Sequence, residues 1–82
     1  MAYKSAGNAG TETGISHEIR ESLGVISENK SGWTKELNLI SWNGANPKYD
    51  IREWAPDHAR MGRGLTFTQE EMNLVKDMLA SI

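Results

Sequence analysis

Cysteine is absent from the 82 residues, so disulfides and thiolate zinc sites are excluded. Histidine is almost absent: His17 and His58 are the only two and lie far apart in sequence. A histidine-rich metal centre is therefore not expected, and no metal or cofactor is assigned. No apolar run approaches the ~20 residues that a membrane-spanning helix needs. The opening stretch, MAYKSAGNAGTETG, lacks the apolar core of a secretion signal. Its small and polar residues cannot bury much surface, so residues 1–14 are expected to form a disordered tail. A cytoplasmic protein without membrane contact follows by default.

What remains, residues 15–82, is one small domain. A chain of this size buries only about 60% of its unfolded surface and is marginal alone. With no disulfide or metal available, self-association is the remaining staple. The net charge of −2 argues mildly against a polyanionic partner. Its distribution argues the other way. Residues 30–63 carry six Lys or Arg against four Asp or Glu, a net +2; the rest carries three against seven, a net −4. Charges beyond a Debye length of about 8 Å are screened, so a locally basic segment can bind phosphates.

The pattern reads as strands followed by one helix. ISHEIRESLGVIS, from Ile15 to Ser27, is mixed: its Val-Ile end favours strand, Gly24 suggests a bulge or bend, and its first half also suits a helix. WTKELNLISWN alternates from Trp33 to Asn43, and NGANP reads as a hairpin connection. KYDIREW is the third strand, APDHARMGRG a polar loop and GLTF, Gly64–Phe67, a short fourth strand. Thr68 with Glu71 three residues on is a capping box. Beyond it, Met72, Leu74, Val75, Met78, Leu79 and Ile82 fill an arc of roughly 160° at 100° per residue, wider than an ordinary surface helix needs. One edge of that arc is suited to the sheet and the other to a second copy; the plainer reading sinks the whole helix in its own core. The fold class is α+β: an antiparallel β-β-β-β-α meander with one face covered by the helix.

Alternation sorts the strands into two faces. Leu37, Leu39, Tyr49, Ile51, Leu65 and Phe67 form an apolar set, expected to be the core under the helix. Asn38, Ile40, Trp42, Asp50, Arg52, Trp54 and Thr66 form the opposite set, expected to lie open. An open face with tryptophans and arginine suits unpaired bases, because stacking on an aromatic ring is worth about 1–3 kcal/mol. Arginine adds phosphate contacts and cation–π attraction. The plainer alternative folds Trp42 and Trp54 over sheet edges or into a dimer contact.

NLISWN, YDIREWAPD and MGRGLTFTQEEM resemble the C-terminal domain of the transcriptional coactivator positive cofactor four, and the whole line is most similar to the small bacterial YdbC-type members. The resemblance runs from about Ser27 to Leu79. Its most specific parts are YDIREW and the Gly-Arg-Gly-Leu-Thr lead into the helix. It implies a curved four-stranded sheet with a C-terminal helix, a homodimer built through the helices, and sequence-tolerant binding of single-stranded DNA along the sheets. By this resemblance Trp42 takes the place of a base-stacking aromatic, and Trp54 lies at or one place from the second. Arg52 matches an arginine that contacts the DNA backbone. Arg63 and Arg60 fall on basic residues before the fourth strand, and Lys35 on one at the start of the second. The coactivator has more lysines between its middle strands, where Lys48 stands alone here.

Three functions are thus expected in order: single-stranded DNA binding by a homodimer, docking of a transcription or replication protein, and single-stranded RNA binding. In the first, Trp42 and Trp54 stack bases, and Arg52, Arg63, Lys35 and Lys48 hold phosphates, with Arg60 beside them. Asn38 is available to hydrogen-bond, and Met72, Val75, Met78 and Leu79 form the dimer face. Catalysis is not expected, because Asp50 and Glu53 point to opposite faces of one strand. Asp57-His58 reads as a solvated turn after Pro56, His17 as a surface residue, and Trp33 as a cap over the sheet end or a third platform.

Overall fold

The computed structural model describes residues 16–82; the tail expected over residues 1–14 lies outside them. Four strands, β1 (His17–Glu28), β2 (Thr34–Trp42), β3 (Lys48–Trp54) and β4 (Met61–Phe67), precede one helix, α1 (Gln69–Ala80). They form a single antiparallel sheet in the order β1-β2-β3-β4, open and curved. The expected fold class is therefore found.

Local chemistry fixes the connections. Trp42-Asn43-Gly44-Ala45 turns β2 into β3, with Ala45 N–H donating to Trp42 C=O at 2.9 Å. Asn43 has φ 51° and Gly44 φ 77°, the paired left-handed conformations of a primed hairpin turn that Asn-Gly adopts readily. Thr68 caps α1: its Oγ1 accepts from Glu71 N–H at 3.1 Å, and the Glu71 carboxylate accepts from Thr68 N–H at 2.8 Å.

β1 is strand throughout, not helix in its first half. From the His17↔Trp42 pair to the Glu28↔Thr34 pair, β1 advances eleven residues while β2 advances eight, so three residues of β1 are extra. One of the three register shifts falls between Ser22 and Gly24. A further extra residue on β4 lies opposite the step from Arg52 to Trp54. Bulges bend a strand and increase its twist, which accounts for the curl. The bulge also lets β4 start at Met61, three residues earlier than expected.

The two side-chain sets fall on opposite faces as read from alternation: Leu37↔Ile51↔Leu65 share one register line, and Asn38↔Asp50↔Thr66 another. Their burial is the reverse of the expectation. Asn38, Ile40 and Asp50 are 0% exposed and Trp54 1%. Leu37, Leu39, Tyr49, Ile51 and Phe67 are only half-buried, and Leu65 is 67% exposed. α1 does lie on the Leu37 side, with Tyr49 Oη donating to Gln69 Oε1 at 3.2 Å. Yet Met72 is its one buried residue. The Trp54 face closes instead because the curved sheet, the turn after β3 and its own long side chains cover it.

Candidate nucleic-acid interface

The Trp54 face is built from β3 outward. Asp50, wholly buried, accepts two hydrogen bonds from Arg52: Nε to Oδ1 at 2.7 Å and Nη2 to Oδ2 at 2.8 Å. Thr66 Oγ1 adds a third donor to Asp50 Oδ2 at 2.9 Å. Arg52 Nη1 donates to Gly62 C=O at 3.3 Å. Nη1 also points at Met61 Sδ at 3.7 Å, so of the five guanidinium N–H groups only one is left for anything else. The guanidinium carbon lies 4.9 Å from the centroid of Trp42, over its ring. Arg52 is thus a braced, partly neutralised group beside Trp42 rather than a freely reaching cation.

Gly64 lies opposite Arg52 on β4, and a Cβ there would overlap Arg52 Cβ. Only glycine permits this close approach of β4 to the arginine.

Trp54 does not project into solvent, contrary to the expectation. His58 stacks on it, with ring centroids 4.4 Å apart and planes 16° apart; His17 tilts against it at 5.6 Å. His58 is therefore not a solvated turn residue. Asp57 (φ 57°) and His58 (φ 56°) both adopt the left-handed region, which folds the chain back after Pro56. His58 Nε2 then donates to both oxygens of Glu36 at 3.0 Å. Glu36 also accepts from Thr34 Oγ1 at 2.7 Å and Asn38 Nδ2 at 3.2 Å. Burial alone would raise the Glu36 pKa, but the hydrogen bonds from Thr34, His58 and Asn38 outweigh it and hold the carboxyl below its ordinary value.

His17, expected at the surface, is half-buried and also tilts against Trp42 at 5.8 Å. Burial, then the nearby Arg52 and His58, depress its pKa, while Asp50 pulls the other way. Both histidines were missed because neither belongs to a periodic pattern. The four-residue spacing of Trp54 and His58 across a proline was the one available signal.

The expected site residues separate into groups. Trp42, Arg52, Trp54 and Asn38 share this face, with Trp42 half-buried and exposed Lys48 on the same register line as Ile40. Lys35 pairs with Glu53 on the opposite side, beside Trp33 in a hollow of about 210 Å³. Arg60 lies 5.9 Å from the Trp33 ring, and Arg63 is exposed at the β4 bulge. The indole N–H groups of Trp42 and Trp54 and the Asn38 Oδ1 are buried without hydrogen-bond partners among the described residues. Among those residues no three His, Asp or Glu side chains converge as a metal site.

The fold and site together define a sheet platform: a curved antiparallel meander with a trailing helix and an aromatic–arginine cluster on the face away from the helix. Residues 29–78, more than half of the chain, match the family model described as Transcriptional Coactivator p15 (PC4). An uncharacterized protein of Treponema pallidum (strain Nichols) is 44% identical over 66 residues, covering 80% of this chain and 78% of that protein. The chain belongs to the PC4 family, a family of non-enzymatic, DNA-binding transcriptional coactivators.

Proposed function

We propose that this protein binds single-stranded DNA, without sequence preference, along the Trp54 face as a homodimer. The observation that carries the reading is Trp42: a half-buried indole at the end of β2 with the Arg52 guanidinium over its ring at 4.9 Å. Unpaired bases stack both on indole rings and on guanidinium planes, whereas duplex DNA hides its base faces. Trp54 acts as the support beneath this platform, held by His58, and not as a second stacking ring. Arg52 orients the platform and offers its remaining N–H to a phosphate settling beside it, and Lys48, exposed nearby, is the mobile phosphate contact.

Self-association is supported by the opposite face. Leu65, Leu74, Met78 and Leu79 are 67%, 58%, 66% and 59% exposed, next to the half-buried Leu37, Ile51 and Val75. A monomer leaving this apolar surface in water loses stabilisation of roughly 25 cal/mol per Å². Met72 belongs to the chain's own core, so the shared surface is Leu74, Val75, Met78 and Leu79 together with Leu65.

Titration with oligo-dT tests the function. Tryptophan fluorescence is expected to be quenched, with affinity falling by about 0.7 log units per log unit of salt for each phosphate neutralised. Trp42→Ala should remove most of the quenching; no quenching at low salt rejects the reading. A second reading, docking of a transcription or replication protein, is favoured by Leu23, Val25 and Ile26 of β1, which are 42%, 61% and 56% exposed. Capture of a partner that survives nuclease treatment supports it.

A further inference from the structure

We infer that His17 is a nucleic-acid-binding residue, one that takes up a proton when a DNA phosphate settles beside Arg52. The inference rests on the single-strand reading above. β1 places His17 directly opposite Trp42, and its ring lies 5.8 Å from Trp42 and 5.6 Å from Trp54. The end of β1 is tied to the β2–β3 turn: Ser16 N–H donates to Asn43 Oδ1 at 2.7 Å, and Asn43 N–H to Ser16 C=O at 2.8 Å. His17 therefore stands as a fixed wall of the Trp42 platform.

Its charged surroundings come from several elements. From β3, Arg52 and Asp50 act on it with opposite signs, and His58 acts from the turn beyond. On β2, Glu36 is engaged by His58, and on β4, Thr66 donates to Asp50. On β1 itself, exposed Glu18 and Arg20 pair with each other at 2.9 Å. Burial and the cations hold His17 below its ordinary value of 6.5, so the free protein presents a neutral imidazole at pH 7. A phosphate near Arg52 offsets that cation and rewards a second positive charge. The proton comes from solvent, and its uptake and DNA binding then favour each other reciprocally.

The test compares oligo-dT affinity of the wild-type protein and His17→Gln from pH 7.5 to 5.5 at fixed ionic strength. In parallel, the His17 and His58 ring signals are followed by NMR with and without oligo-dT. Wild-type affinity is expected to rise about three- to tenfold per pH unit as pH falls, the range set by uptake of up to one proton. The variant should have a flatter slope, and the His17 ring should titrate at higher pH in the complex. An unchanged slope in His17→Gln overturns the inference while leaving DNA binding intact. So does a His17 titration that DNA does not move, which is decisive even if the variant folds poorly. Absence of binding at every pH overturns the single-strand reading itself.

Discussion

The two faces of the sheet differ in what holds them. On one, Asn38, Asp50 and Trp54 are at most 1% exposed, and directional bonds fill the space: Arg52 to Asp50, His58 to Glu36, ring on ring. On the other, Leu65 is 67% exposed and the residues around it are at best half-covered. The polar face is closed over Trp54 and reaches solvent at Trp42 and Lys48, whereas the apolar face is uncovered around Leu65. Burial in a curved sheet thus follows curvature and covering, not side-chain polarity alone.

The largest expected effect lies on the closed face. Trp54→Ala should cost about 3–5 kcal/mol in urea unfolding, as for other buried aromatics. Trp42→Ala should cost clearly less; equal losses would erase the distinction between support and platform. Asp50→Ala comes next, at about 3 kcal/mol, the low end for a broken buried pair because the Arg52 side chain is still 14% exposed. On the bare face, Leu79→Asp should weaken self-association about tenfold to a hundredfold. In sedimentation it should yield the 9.1 kDa monomer while the fold persists. A wild-type protein that stays monomeric at micromolar concentration breaks the comparison from that side. Trp42→Ala should weaken oligo-dT binding by about 1–3 kcal/mol, equally for different sequences.

The smallest effect is acid sensitivity. His17 and Glu36 both have depressed pKa values, so the unfolded chain binds more protons and stability rises with pH. For His17, stability is lost as pH falls below 6.5 toward its lower folded value. For Glu36, the contribution is complete above 4.5 and disappears as pH falls through its folded value. Urea midpoints measured against pH should show both declines. His17→Gln should remove the upper one and Glu36→Gln the lower.

Alternation in β2, β3 and the end of β4 was legible and grouped Leu37 with Ile51 and Leu65 correctly. Asn43-Gly44 and the Thr68–Glu71 box were equally readable, because each is a local bond pattern. Which face would close was not readable. Parity divides side chains into two sets but carries no information on the direction of curl, which the extra residues of β1 and β4 set. The Trp54–His58 stack was hidden for another reason: it depends on two consecutive left-handed residues, Asp57 and His58, that no hydrophobic pattern announces.

Gly64 gives a criterion for comparing related chains. Wherever a larger residue occupies this position, the arginine opposite cannot keep the same berth, and the indole at the end of the second strand loses its companion. Surveying that one site alongside its cross-strand neighbour sorts homologues into those that retain this architecture of recognition and those that must have found another.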